Sequence, residues 1–306
     1  MIFLDILILV VCVLALWAGA EWFVEASARI ARRLGLSEVV IGLTIVAVGT
    51  SAPEFAVTIL AAFEGNPEIS VGNIVGSNVF NLGFVLGGVA MLRAVVTTPW
   101  LVRRDGVLLI GATVLGIVFL RDLALVRWEG IVMLVALVSY ILFLLRTGEA
   151  SADEVPPGSF HWFEVPRLFI GLAVILISSY FFVTSSVSIA RTLGISEWAI
   201  GVTIVAAGTS VPELVTSFVA MLRGRHGISA GNLIGSNVFN TLGVLGLASA
   251  IQPLVIQAAA YRDLIGMLFF TILVVAMMRT GWRVSRTEGA ILVGLNLVLW
   301  YVNLFL

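Results

Sequence analysis

The sequence predicts an all-α polytopic membrane protein, with ten transmembrane helices in two inverted five-helix repeats. Three observations lead there: an apolar composition, a ladder of long apolar stretches, and a near-duplication of the most polar motif in the chain. Of 306 residues, 60% are hydrophobic and 11% charged, with a mean hydropathy of +1.13. Soluble domains average about 25% charged residues, so most of this chain is written for lipid.

A span needs about 20 mostly apolar residues. Ten stretches qualify: 3–27, 37–62, 70–92, 100–120, 127–146, 167–190, 196–221, 229–251, 261–279 and 287–305. The first has Asp5 as its only early charge and lacks the basic start of a cleaved leader, so we expect a retained span. A hydrophilic linker at 151–164 joins the fifth span to the sixth. It separates a first repeat at 1–150 from a second at 165–306. The lone cysteine, Cys12, excludes an intramolecular disulfide and reads as a small apolar packing residue.

The halves repeat with an offset of 159 residues. "LGLSEVVIGLTIVAVGTSAPEF", Leu34 to Phe55, matches "LGISEWAIGVTIVAAGTSVPEL", Leu193 to Leu214, at 15 of 22 positions. "ISVGNIVGSNVFN", Ile69 to Asn81, matches "ISAGNLIGSNVFN", Ile228 to Asn240, at 10 of 13. The strongest similarity falls at 42–82 and 201–241. Units of five spans in series enter the membrane from opposite faces, which makes the repeat inverted, a transporter architecture.

All 17 basic residues are arginine; 13 lie in loops after odd-numbered spans and 4 in the others. The excess assigns the odd-numbered loops to the cytoplasm and both termini to the extracellular or periplasmic side. A net charge of −1 and no basic run give no sign of a nucleic-acid partner.

Within "GTSAPEF" and "GTSVPEL", Pro53 and Pro212 lack the N–H that a helix interior needs. We expect the helix to loosen over 47–52 and free backbone carbonyls, which membranes tolerate only inside protein or beside a wet cavity. Glu54 and Glu213 stand at these breaks, where a charge costs about 2.5–3.5 kcal/mol on insertion scales. The chain has no lysine, and no arginine lies inside a span to pair with them. A bound cation is the simplest compensation.

The following helices add oxygen. Asn73, Ser77 and Asn81 step by four, as do Asn232, Ser236 and Asn240, while Gly72, Gly76, Gly231 and Gly235 permit close helix approach. With no histidine or cysteine in the set, zinc and copper fit poorly, whereas Ca²⁺ takes about 6–8 oxygens and Na⁺ suits the same hard donors. Any one of these features alone would be ordinary packing or a kink; their joint duplication is not. Asn78 and Asn237 lie about 100° off the stripes and read as bonds to neighbouring helices. His161 and His226 read as solvated loop residues, and Glu21, Glu64 and Glu68, near span ends, stay outside the site.

The doubled motifs "GTSAPE…GNIVGSNVFN" and "GTSVPE…GNLIGSNVFN" resemble the paired α-repeats of the cation/calcium exchanger superfamily, in its sodium/calcium exchanger branch, and the ten-span layout extends this over essentially the full length. The resemblance implies a cell-membrane antiporter, not an enzyme, exchanging Na⁺ for Ca²⁺ by alternating access. It implies these ions as transported substrates, with no organic cofactor and no obligate protein partner. It casts Glu54 and Glu213 as principal ligands, Thr50 and Thr209 as backbone-oxygen donors to calcium, and Asn81 and Asn240 as central ligands. Ser51, Ser77, Ser210 and Ser236, with the carbonyls of Ala47 and Ala206, would line sodium sites. The first and sixth spans would slide as a unit. Potassium-dependent relatives carry aspartate at the position of Asn240, so asparagine here argues against K⁺ coupling. The linker is too short for a regulatory domain. A Ca²⁺/H⁺ exchanger remains the alternative, because protons could serve as counter-ion at buried carboxyls. A channel and an intramembrane hydrolase built on Ser51 or Ser210 are further rivals, the last lacking a histidine or lysine base within the spans.

Overall fold

A computed structural model describes residues 2–147, 161–195, 200, 204 and 206–305. Its helices, in chain order, are α1 (Ile2–Arg33), α2 (Glu38–Thr50), α3 (Ala52–Phe63), α4 (Pro67–Leu92), α5 (Val107–Phe119) and α6 (Arg127–Thr147). After the linker come α7 (Glu164–Thr192), α8 (Ala206–Gly208), α9 (Val211–Leu222), α10 (His226–Ile251), α11 (Ala258–Arg279) and α12 (Arg286–Phe305). Every expected span overlaps a helix. Among the described residues, 6 helices are long and apolar enough to cross a membrane, or 7 if the bent pair α2 and α3 counts as one. The expected linker lies outside the described residues as far as residue 160, as does much of the stretch 196–205. Large apolar side chains such as Phe3, Phe169 and Phe269 are strongly exposed, as a lipid-facing surface requires.

Local chemistry sets the helix ends. Ser37 caps α2 by accepting from the Val40 N–H at 3.3 Å. Pro53, Pro67 and Pro212 occupy first-turn positions, where a missing N–H costs nothing. Gly65 and Gly224, 159 residues apart, both follow their helices at positive φ, 75° and 74°, the left-handed stop that glycine adopts without strain.

α1 and its repeat equivalent α7 form a long antiparallel pair and pack into one hydrophobic cluster with residues of α2, α9 and α10. Ser188 donates to Asp5 at 2.9 Å at one end, and Arg29 pairs with Glu164 at the other. Ion pairs Arg223–Glu21 and Arg225–Glu25 tie α1 to the loop between α9 and α10. Cys12 is buried, as expected of a packing residue.

The remaining helices share a larger core. Two short antiparallel strand pairs knit loops from opposite halves: Val95 pairs with Val284, and Leu125 with Leu254. Adding 159 to one partner and subtracting it from the other converts the first pairing into the second. Close helix approaches follow the same exchange, Gly87 against Gly289 and Gly246 against Gly130. The halves therefore relate by an approximate two-fold swap.

His226 differs from expectation. It opens α10 and is half-buried instead of lying in a solvated loop, because the α9–α10 connection is only three residues, Arg223, Gly224 and Arg225.

Helix contacts carry a test. A Cβ at Gly235 would stand 2.6 Å from the Leu43 backbone, whereas Gly111 has nothing within 4 Å. Gly235→Val should destabilise by about 1–3 kcal/mol or more through overpacking, and Gly111→Val should leave the melting temperature of the detergent-solubilised protein nearly unchanged. Equal melting of the two variants would contradict this packing.

Candidate ion site

The site forms where two broken helices meet back to back. α2 and α3 bend by 51° at Ser51, whose φ of −77° and ψ of 11° interrupt the helix. Ser210, at φ −89° and ψ 8°, does the same between α8 and α9. The first break is narrower than the expected loosening over 47–52. Residues 47–50 stay helical, and the Ala47 carbonyl accepts from the Ser51 N–H at 3.0 Å and the Thr50 hydroxyl at 3.3 Å. Pro53 removes only the donor that Gly49 would have received four residues on, so one residue absorbs the bend.

Each glutamate lies in the first turn after its break and is fully buried. Each is held by the serine of the other half: Ser210 donates to Glu54 Oε1 at 2.9 Å, and Ser51 donates to Glu213 Oε1 at 2.9 Å. The Thr209 hydroxyl also faces Glu54, and those of Thr50 and Ser236 face Glu213. Thr50 lies 3.5 Å from Ser236, and Thr209 3.4 Å from Ser77. Both carboxylates keep their second oxygen, Oε2, buried and without a hydrogen-bond partner.

Asn81 and Asn240 are fully buried in π-helical turns, Asn81–Val85 and Phe239–Val244. The extra residue in a π turn re-aims side chains, and such turns gather at functional sites. Asn240 donates to Asn78 Oδ1 at 3.1 Å, which leaves its own Oδ1 unpartnered. Asn81 has no partner at either amide atom.

Supporting contacts surround this centre. Asn73 donates to the Glu54 carbonyl at 3.2 Å and to Thr58 Oγ1 at 3.0 Å. Asn232 donates to Ser217 Oγ at 3.0 Å and accepts from Thr50 at 3.1 Å. Asn78, expected to bond a neighbouring helix, donates to Thr241 at 2.9 Å; Asn237 instead donates to Leu233 of its own helix at 2.9 Å.

The contacts thus join Glu54 with Ser210 and Thr209, and Glu213 with Ser51, Thr50 and Ser236, while Ser77 lies beside Thr209. Ala47 joins through Thr50, while Ala206 is placed only as the first residue of α8. Glu68 is exposed, in keeping with its omission from the site. Sequence reasoning missed Thr58, Ser217 and Thr241. For the first two a signal existed, since each hydroxyl lies four residues after its glutamate, one turn along the same face.

Chemically, the centre is a set of hard oxygens built around two carboxyl groups. Among the described residues, no group of three His, Cys, Asp or Glu side chains gathers as a metal cluster. A carboxylate pair with bare oxygens, neutral amides and hydroxyls is suited to spherical hard cations.

Comparison with known proteins agrees in sequence and in shape. The profile of the family described as "Sodium/calcium exchanger protein" matches residues 4–146 and 165–305. A relative from Alkalimonas amylolytica, provisionally named antiporter CaxA, is 40% identical over 95% of this chain and 96% of its own. Sodium/calcium exchanger MaX1 of Methanosarcina acetivorans is 31% identical over 99% of this chain and 100% of its own. The solved structure of the sodium-calcium exchanger NCX_Mj, soaked with 2.5 mM Na⁺ and 0.1 mM Ca²⁺, superposes with a TM-score of 0.85. It is 30% identical, covering 97% of this chain and 98% of that one.

The supporting shell is testable without transport. Ser217→Ala strands a buried N–H of Asn232, at a cost of about 1–3 kcal/mol, and Thr58→Val removes one of the two bonds of the half-buried Asn73 amide, at the low end of that range. Both should lower the melting temperature of the purified protein; unchanged melting in both would mean these bonds do not form.

Proposed function

The chain belongs to the sodium/calcium exchanger family, and on that premise we propose that it exchanges Na⁺ for Ca²⁺ across a cell membrane by alternating access. The single observation that carries the reading is the set of buried, unpartnered acceptors: Oε2 of Glu54 and Glu213 with Oδ1 of Asn81 and Asn240. Buried acceptors normally find a donor, and an uncompensated carboxylate pair in lipid is costlier still. A cation supplies what the side chains do not.

Glu54 and Glu213 act as principal ligands. Thr50 and Thr209 contribute backbone oxygens, Asn81 and Asn240 close the centre, and Ser51, Ser77, Ser210 and Ser236 with the carbonyls of Ala47 and Ala206 flank it for sodium. Two carboxylates carry a charge of −2, which one Ca²⁺ cancels. Sodium ions must use the same oxygens, so the two species compete, and competition at a centre open to one face at a time is exchange. Three Na⁺ against one Ca²⁺ would move one net charge, worth about 2.3 kcal/mol at 100 mV. Asn240 in place of an aspartate supports independence from K⁺.

Ten spans in two inverted five-helix repeats, at 1–150 and 165–306 with the linker between, is the architecture we assign. It is supported by the antiparallel course of α1 and its equivalent α7, and by the exchanged strand pairings. The arginine excess supports odd-numbered loops in the cytoplasm and termini outside.

Vesicles containing the protein, loaded with Na⁺ and diluted into Na⁺-free buffer, should accumulate ⁴⁵Ca²⁺ equally with and without K⁺. Glu54→Gln and Glu213→Gln should each reduce uptake to background while the variants remain monodisperse. Calcium uptake driven by a pH gradient without sodium would replace the reading with Ca²⁺/H⁺ exchange.

A further inference from the structure

A basic, aromatic-walled cleft stands apart from the ion site. Pro99, Trp100, Arg103 and Arg104, at the start of the helix that contains α5, line a cavity of about 490 Å³. Trp100 is 73% exposed, unusual for so large a side chain unless it lies against lipid. Beside the cleft runs the loop between α11 and α12. It is fixed there by the Val96–Arg283 strand pairing and by the Thr97 N–H donating to the Trp282 carbonyl at 2.9 Å. Arg286 donates to the Leu92 carbonyl at 3.0 Å, which brings it next to Arg93.

Two loops distant in sequence therefore form one surface, holding Arg93, Arg103, Arg104, Arg279, Arg283 and Arg286. The acids nearby are already engaged. Asp105 is buried and takes two bonds from Arg104, at 2.7 and 3.0 Å, and one from Tyr140 at 2.9 Å. Glu288 accepts from Ser285 and Thr280. Among the described residues Arg93, Arg103 and Arg279 make no salt bridge, and all three are exposed. The Arg103 guanidinium lies over the Trp282 ring at 5.3 Å, and that of Arg104 is 6.0 Å from the Trp100 ring. Stacking holds a guanidinium flat and leaves its N–H edge free for an acceptor.

The repeat supplies an internal control. The equivalent surface on the other half is built on the same turn, with Leu123 at φ 64° where this one has Trp282 at φ 54°. There three arginines, Arg121, Arg127 and Arg262, stand beside three acids, Asp122, Glu129 and Asp263, and alanine, Ala259, stands where this half has Trp100. A general need for loops would have built both surfaces alike; the first holds twice as many arginines as the second, against fewer acids.

We infer that this cleft is a binding site for the phosphate of an anionic glycerophospholipid, with Arg103 in the cleft reading the headgroup, Arg93 and Arg279 on the loops around it adding charge, and Trp100 packing beside the glycerol backbone. Guanidinium pairs recognise phosphate through parallel N–H bonds, and basic pockets at span ends are where lipid headgroups are held. The lipid would brace the two loops from outside the ion path. The inference is independent of the transported ions, so it stands or falls separately from the exchange reading.

Native mass spectrometry of the full chain, released from detergent after equilibration with phosphatidylglycerol or phosphatidylcholine, tests it. Phosphatidylglycerol should remain bound and phosphatidylcholine should not. Arg103→Gln, an exposed position with no salt bridge, should weaken retention, and adding Arg93→Gln and Arg279→Gln should weaken it further, on the order of five-fold per arginine removed. Arg121→Gln with Arg262→Gln, on the opposite surface, should change nothing. Equal retention of both lipids, or full retention by the triple variant, would overturn the site and leave the arginines as a topology signal only. Displacement of the lipid by millimolar inorganic phosphate would reassign the cleft to free phosphate.

Discussion

Everything in this molecule is arranged around two carboxylates that share one buried centre and are held crosswise. Ser51 of the first half grips Glu213 of the second, and Ser210 of the second grips Glu54 of the first, both at 2.9 Å. Neither glutamate can be placed by its own half alone. The reciprocal grip consumes one oxygen of each carboxyl group and leaves the other buried without a partner. The cost of burying like charges is the physical ground for the cation we propose there.

Much of the fold follows as support for that grip. A bend must expose a serine and then restart a helix within a single residue, so proline sits in the first turn of α3 and α9, where it is harmless. The breaks must approach the neighbouring helices, so glycine stands where α10 meets α2; a Cβ at Gly231 would come within 2.7 Å of the Val39 carbonyl. Asn73 and Asn232 then pin the backbone and hydroxyls behind each glutamate. α1 and α7 lie against this assembly through an apolar cluster shared with α2, α9 and α10, and among the described contacts they give no side chain to those that join the centre.

The two glutamates, their serines and the polar stripes were legible because each offends a membrane helix and each occurs twice. The spans were legible from the length of their apolar stretches. What stayed hidden depends on geometry that no local pattern encodes. The π turns that carry Asn81 and Asn240 have no residue signature, so a four-residue step could align Asn73, Ser77 and Asn81 but not show how the last is re-aimed. The narrowness of the break at Ser51 arises because the Thr50 hydroxyl and the Ser51 N–H both settle on the Ala47 carbonyl, a contact visible only in three dimensions. Asn78 lay off the stripe, yet it orients Asn240 by accepting its amide, and Thr241 anchors Asn78 in turn. The first repeat has Leu82 in place of Thr241, so the matching asparagines cannot form the same chain. The repeat is thus a guide to the fold and an incomplete guide to the centre.

The central claim is that one oxygen-lined centre serves two cations in turn because the paired acids cannot stay bare. Equilibrium binding of ⁴⁵Ca²⁺ to the purified protein, titrated with Na⁺ at constant ionic strength, addresses it without reference to transport. The account predicts one calcium per chain, released by sodium along a curve steeper than single-site competition, and no calcium bound when both glutamates are replaced by glutamine. Calcium that stays bound at saturating sodium, or that binds the doubly substituted protein as tightly as the native one, would contradict it.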